Sequence, residues 1–165
     1  MRALGIDLGS KRIGVAVSDR SGTIASPLTV VQRSGNIKLD HQRLAALALE
    51  EEAEIVVVGL PLNMNGSLGP AAQAAIAEAK ALSTVVTVPV QTFDERRTTV
   101  AADAVLMEFK MKAQARRRII DKVAAAVMLQ YWLDARNTVR DPLMDTMQST
   151  ETTYPTGATD ATDER

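Results

Sequence analysis

The sequence predicts an α/β fold with one mixed five-stranded sheet and helices on both of its faces. Residues 2–31 contain three successive strand-like segments, which predict an antiparallel meander. From residue 37 onward, helical and strand-like patterns alternate, and this alternation predicts parallel strands joined by right-handed crossovers. The expected order of elements is therefore β-β-β-α-β-α-β-α-α.

Local patterns justify the individual elements. Gly9, Ser10 and Lys11 supply the permissive backbone that a tight turn between the first two strands needs. Residues 55–59 are wholly apolar, as expected of a strand covered on both faces, and Pro70 suits the first turn of an alanine-rich helix. The predicted strands are 2–8, 12–18, 23–31, 55–59 and 85–92, and the predicted helices are 37–52, 70–82, 97–109 and 116–135.

Composition indicates one globular domain, expected over residues 1–137, followed by an acidic and disordered tail over residues 138–165. Of the 165 residues, 46% are hydrophobic, which is enough for a core, and none is cysteine. The lack of cysteine excludes disulfides and thiolate metal sites and favours a cytoplasmic setting. No secretory signal and no apolar run long enough to cross a membrane is visible. The single histidine, His41, argues against a histidine-rich zinc site.

The net charge of −1 conceals an uneven distribution. Residues 141–165 hold six acids and one base, a net −5, which leaves +4 for the rest of the chain. Residues 96–122 hold eight bases and three acids, a net +5. A basic region beside an acidic tail is typical of proteins with an anionic partner such as nucleic acid, but a solvated helix surface has the same pattern.

Asp7 is the first candidate site residue. Strand alternation places it on the same face as Ala3 and Gly5, whose small side chains leave room for a ligand. A carboxylate in a central strand is costly unless a positive partner meets it. A metal ion, or a phosphate held through one, would be such a partner, whereas the competing interpretation is an aspartate that caps the turn.

Two further acids are candidates at later points of the chain. Asp94 and Glu95 follow the fifth predicted strand, where ligands gather in sheets of this kind. Adjacent residues of an extended chain point to opposite faces, so spacing alone leaves open which of the two accompanies Asp7. Asp121 borders the buried stripe of the last helix, although an ordinary exposed acid of a first helical turn would look the same.

Three converging carboxylates would suit hard cations, so the expected cofactor is Mg²⁺ or Mn²⁺. Two such ions can activate a water and stabilise the leaving oxygen in phosphodiester cleavage. Basic residues near each acid are the expected phosphate contacts. They are Lys11, Arg12, Arg96, Arg97, Arg116, Arg117 and Arg118.

Segments 5–19, 58–67, 93–99 and 120–125 together resemble the YqgF (RuvX) family. Its members have the ribonuclease H fold and are similar to the Holliday junction resolvase RuvC. The resemblance runs to about Leu133 in the family's order and implies a nuclease. It implies that the catalytic and metal-binding acids are Asp7, Glu95 and Asp121, and so selects Glu95 over Asp94.

The chain departs from RuvC-type resolvases where they have a second acid one turn after the last one, because that position is Ala124 here. Three acids can bind two ions if water or substrate oxygen completes the coordination. Asn63 and Asn65, in the loop over residues 60–69, are candidate nucleic-acid contacts, although Asn and Gly also occur where they simply make a turn.

The resemblance implies two substrates, the 5′ end of precursor 16S ribosomal RNA and four-way DNA junctions, of which the RNA is favoured. Symmetric cleavage of a junction requires two active sites, hence a homodimer, whereas RNA processing does not. Two other classes compete with a nuclease. One is the actin-like ATPases and sugar kinases, which share an Asp-x-Gly turn but need two such domains, and the other is a non-catalytic nucleic-acid-binding module.

Overall fold

The structure is a computed structural model that describes residues 1–94 and 113–139, with the backbone alone for 113–119. Five strands and three helices lie in these ranges. They are β1 (Ala3–Leu8), β2 (Arg12–Ser18), β3 (Ala25–Gln32), α1 (Ile37–Glu50), β4 (Ile55–Leu60), α2 (Pro70–Ser83), β5 (Val90–Asp94) and α3 (Ala113–Val139). The predicted helix 97–109 lies outside the described residues.

The strands form one sheet in the order β3-β2-β1-β4-β5. β1 pairs antiparallel with β2, and β2 pairs antiparallel with β3. β4 pairs parallel with both β1 and β5. This arrangement confirms the predicted mixed sheet of three antiparallel strands followed by two parallel ones.

Helices cover both faces of the sheet, as predicted. On one face, Leu4, Ile6 and Val58 pack with Leu44 of α1 and Leu82 of α2 in one apolar core. We call this the α1–α2 face. On the other, the α3 face, Ala3 and Val57 pack with Leu129 and Trp132 of α3. Successive residues of β1 thus alternate between the two cores, as strand geometry requires.

The bounds of β1, β4 and α2 differ from the prediction by one residue at one end, and larger differences occur in β3, α1, β5 and α3. β3 starts at Ala25 rather than residue 23, because the amides of Thr23 and Ile24 donate to the Asp19 carboxylate at 2.8 and 3.0 Å instead of joining the sheet. α1 ends at Glu50 rather than residue 52, where Glu52 has a left-handed φ of +53° that a helix does not accommodate.

The other two differences concern β5 and α3. β5 covers Val90–Asp94 rather than 85–92. The amide of Val85 still bonds back to Leu82 at 2.9 Å, and Pro89 lacks the amide proton that a ladder needs. α3 covers Ala113–Val139 rather than 116–135. Residues 140–165 lie outside the described residues, so the acidic tail stays a prediction. No helix of the described ranges is long and apolar enough to cross a membrane.

Candidate active site

Asp7 lies near the end of the central strand β1, directly opposite Gly14 of β2. Its neighbours two and four residues earlier, Gly5 and Ala3, are buried, whereas Asp7 itself is half-buried. Because Ala3 belongs to the core beneath α3, Asp7 also belongs to the α3 face. The predicted small-residue side of β1 is therefore the side that this helix covers.

Two strand glycines let α3 approach the sheet closely. A Cβ atom on Gly14 would stand 2.0 Å from the carbonyl oxygen of Asp121, and one on Gly5 would stand 2.9 Å from the Cβ of Leu129. The helix backbone thus rests on Gly14, the cross-strand partner of Asp7. This contact brings Asp121 to the strand pair that carries Asp7.

Asp121 forms an ion pair with Arg12, the first residue of β2. Arg12 Nε donates to Asp121 Oδ2 at 2.5 Å, and both side chains are about one quarter exposed, at 27% and 25%. Asp121 lies eight residues after Ala113, the start of α3, so it is more than two turns inside the helix. The interpretation as an ordinary exposed acid of the first turn is therefore wrong.

The first of the two adjacent candidate acids, Asp94, is the last residue of β5. In β5, Phe93 packs against the core beneath α3. Asp94 follows it opposite Leu60 and so belongs to the α1–α2 face. Asp94 does not share a face with Asp7, whereas Glu95 lies outside the described residues.

The predicted basic contacts are described to different extents. Lys11 is exposed in the turn between β1 and β2, and Arg12 is engaged with Asp121. Arg116, Arg117 and Arg118 lie on α3 within five residues of Asp121, and their backbone alone is described. Arg96 and Arg97 lie outside the described residues, together with Glu95.

Asn63 and Asn65 shape the loop that precedes α2. Asn63 Nδ2 donates to the Ser67 hydroxyl at 2.9 Å, and Asn65 Oδ1 accepts from the Ser67 amide at 3.0 Å. Gly66 adopts a φ of +82°, which glycine reaches without steric cost. Both asparagines are exposed and make the turn, which is the second of the two roles considered for them; their contact with nucleic acid stays a prediction.

The donor chemistry on the α3 face fits a hard divalent cation. Asp7 and Asp121 supply carboxylate oxygens, the ligands that Mg²⁺ and Mn²⁺ prefer. Within residues 1–94 and 113–139, no cluster of three or more His, Cys, Asp or Glu side chains is arranged for a metal ion. The third predicted ligand, Glu95, falls in the gap between these ranges.

A second polar cluster lies on the α1–α2 face, and the sequence analysis gave its members no role. Arg33 follows β3, Glu78 belongs to α2, and His41 belongs to α1. Burial opposes the ionisation of Glu78, but hydrogen bonds from Arg33 and His41 outweigh it and lower the pKa of that carboxyl. Helical spacing was an available signal, because Glu78 falls on the stripe of Ala75, Ala79 and Leu82, which are buried.

Comparisons with known proteins agree with this architecture. The sequence profile of the RuvX family, described as Holliday junction resolvase, matches residues 1–135. A Thermoanaerobacter pseudethanolicus protein named "Putative pre-16S rRNA nuclease" is 45% identical over 137 residues, which cover 82% of this chain and 98% of that protein. A Myxococcus xanthus protein of the same name is 49% identical over 135 residues, which cover 82% of this chain and 89% of that protein.

A solved structure shares the fold. It is Thermus thermophilus RuvC in complex with a Holliday junction substrate, which matches with a TM-score of 0.52 at 21% identity and covers 83% of this chain and 96% of its own. That similarity confirms the expected RuvC-like, ribonuclease H-type sheet. Since the profile match includes all five strands and the segment that carries Asp121, the chain belongs to the RuvX family.

Proposed function

We propose that this protein is a metal-dependent nuclease that hydrolyses phosphodiester bonds at the 5′ end of precursor 16S ribosomal RNA. The observation that carries the proposal is the contact between the Asp121 backbone and Gly14, the cross-strand partner of Asp7. It brings the helix that carries Asp121 onto the strand pair that carries Asp7, 114 positions earlier in the sequence. The family and the names of the two relatives support the reaction class and the RNA substrate.

Asp7, Glu95 and Asp121 would hold Mg²⁺ or Mn²⁺ through carboxylate oxygens. With such ions bound, the site would supply an activated water and would stabilise the leaving oxygen of the phosphodiester. The strand backbone fixes Asp7, and the Arg12 guanidinium orients Asp121. The positive charge of Arg12 also offsets the repulsion that two neighbouring carboxylates exert on each other.

Glu95 is proposed as the third acid because of strand alternation. Asp94 belongs to the α1–α2 face, opposite to that of Asp7. Strand alternation thus argues against Asp94, and the family pattern selects the adjacent Glu95.

Basic residues near these acids would bind the nucleic-acid backbone. Lys11 is exposed beside Arg12, and Arg116, Arg117 and Arg118 precede Asp121 on the same helix. Cations in these places attract phosphates regardless of base sequence. Asn63 and Asn65, in an exposed loop, would add polar contacts.

The first experiment replaces Asp7 with Asn, which keeps the size of the side chain and removes its charge. We expect cleavage with Mn²⁺ to fall by about 10³-fold, which corresponds to the several kcal/mol that a bound metal ion contributes. Binding of the uncleaved RNA should remain, because phosphate contacts supply most of the affinity. Glu50→Gln, at the exposed end of α1, is the control. Undiminished cleavage by Asp7→Asn would refute the proposed site.

The alternative substrate is a four-way DNA junction, which the description of the family favours. Pure protein is offered a precursor 16S leader RNA and a four-way junction, each with Mn²⁺. Cleavage of the RNA supports the proposal, whereas cleavage of the junction alone would replace it with a resolvase. A resolvase would also be a homodimer in solution, which sedimentation measures.

A further inference from the structure

Arg33 makes two hydrogen bonds to the turn between β1 and β2. Its backbone amide donates to the carbonyl of Lys11 at 3.0 Å, and its side-chain Nε donates to the carbonyl of Gly9 at 3.0 Å. These carbonyls stand on either side of Ser10. One residue at the end of β3 therefore holds both sides of the turn that follows Asp7.

The Arg33 side chain is itself held by Glu78 of α2, which in turn contacts His41 of α1. Its Nη1 and Nη2 donate to Oε1 and Oε2 of Glu78 at 2.6 and 3.0 Å. His41 Nε2 contacts Glu78 Oε1 at 3.1 Å, and the His41 side chain is 3% exposed. Since all three groups are largely buried, solvent and salt screen this network less than a surface ion pair.

The β1–β2 turn also contacts the backbone of Arg12, whose side chain pairs with Asp121 on the α3 face. A Cβ atom on Gly9 would stand 2.3 Å from the carbonyl oxygen of Arg12, so the turn packs directly on the Arg12 backbone. Arg12 then pairs with Asp121. A displacement of the turn would therefore move Lys11 and the Arg12–Asp121 pair together.

We propose that Arg33, fixed by Glu78 and His41, is a positioning residue that orients the β1–β2 turn and so presents Lys11 and Arg12 to the nucleic-acid backbone. The inference rests on the proposed nuclease function for its consequence and on the described contacts for its geometry. Lysine cannot replace arginine here, because one ammonium group cannot bond Gly9 and both oxygens of Glu78 in the same planar arrangement.

The test compares Arg33→Lys with Arg2→Lys, a matched control at the opposite end of the sheet. Arg2 also pairs with a glutamate, Glu51, at 2.5 Å, and its side chain is 24% exposed against 16% for Arg33. Hydrogen exchange is followed by mass spectrometry on a peptide spanning residues 8–13. We expect the amides of this peptide to exchange faster in Arg33→Lys than in the wild type and at the wild-type rate in Arg2→Lys. The melting temperatures of the two variants should fall by similar amounts.

RNA affinity provides a second measurement, which should not change if Arg33 only stabilises the fold. Affinity for the precursor RNA is measured in EDTA for Arg33→Lys, Arg12→Gln and the double variant. We expect each single change to weaken binding and the double change to add little, because both act through one turn. Cleavage by Arg33→Lys should fall about tenfold to a hundredfold, as for a displaced reacting group.

Each outcome bears on a separate claim. Wild-type exchange at residues 8–13 in Arg33→Lys, or additive losses with Arg12→Gln, would overturn the inference while leaving the nuclease proposal intact. If exchange is faster in Arg33→Lys but the wild-type protein neither binds nor cleaves nucleic acid, the proposed function would be contradicted instead. If Arg33→Lys does not fold, Glu78→Gln, which keeps the shape of its side chain, undergoes the same measurements.

Discussion

At the scale of single residues, the candidate site depends on Gly14, because glycine has no side chain to keep α3 away from the sheet. The carbonyl of Asp121 occupies the space that a Cβ at this position would need, at 2.0 Å. The atom in contact is backbone, so rotation of a side chain cannot relieve the clash. A methyl group here would have to move α3, β2 or both.

Gly14→Ala should therefore lose stability and cleavage together. We expect a loss of about 1–3 kcal/mol in the free energy of unfolding, as for overpacked cores, and slower cleavage because Asp121 moves away from Asp7. Urea denaturation and a cleavage assay measure the two effects.

Gly22→Ala is the control for backbone strain. Gly22 has a φ of +71°, and a Cβ atom on it would stand 2.9 Å from the carbonyl oxygen of Met1, at the other end of the sheet. This variant should lose about 1–2 kcal/mol from left-handed strain and retain cleavage once folded. Equal activity of the two variants would contradict the positioning of Asp121 by Gly14.

At the scale of secondary structure, Glu78 connects side chains from three parts of the fold. It belongs to α2, pairs with Arg33 at the end of β3, and contacts His41 of α1. Its lowered pKa means that the folded state favours the ionised carboxylate. By linkage, its contribution to stability is present above the unfolded pKa of about 4.3 and is lost as the pH falls through the folded value.

Glu78→Gln should consequently be less stable than the wild type at pH 7, by about 1–3 kcal/mol, because Arg33 loses its charged partner in a partly buried setting. The difference should shrink as the pH is lowered below about 4.3, because the Glu78 carboxylate of the unfolded chain takes up a proton there before that of the folded chain does. Melting temperatures at a series of pH values measure this difference. A difference for Glu78→Gln that stays constant over the pH series would contradict the linkage.

At the scale of the whole molecule, charge is distributed unevenly along the chain. Residues 141–165 carry a net −5, and the rest of the chain carries +4. The family profile ends at residue 135, before this acidic segment begins. An acidic segment tethered to a basic domain competes with nucleic acid for the same positive field.

A chain that ends at residue 140 should accordingly bind the precursor RNA more tightly than the full chain at low salt. The gain should vanish in high salt, because screening shortens the reach of the tail charges. Fluorescence anisotropy over a salt series measures the affinity of each chain for the RNA. A full-length chain with its tail acids replaced by amides should behave like the truncated one, and equal affinity of all three proteins at low salt would refute the idea.

Much of the fold was predictable because its signals are local. Three signals predicted the strands, their order along the chain and the coverage of both sheet faces by helices. They are the alternation of apolar residues, the wholly apolar run at 55–59 and the glycine turn at residue 9. The start of β3 differed from the prediction because it depends on the Asp19 carboxylate, which accepts hydrogen bonds from the amides of Thr23 and Ile24. A helical or strand period does not encode such contacts.

The sequence by itself determined that Asp7 stands among small residues on one face of a central strand, and motif resemblance determined the family. Tertiary structure decided which groups contact that face. The backbone of α3 packs on Gly14, and Arg12 pairs with Asp121. Asp94 lies on the opposite face of the sheet. Tertiary structure also brought Arg33, Glu78 and His41 into one network beneath the turn. Residues 109 positions apart, such as Arg12 and Asp121, meet because the packing of the helix on the sheet sets their distance, and no local pattern records that packing.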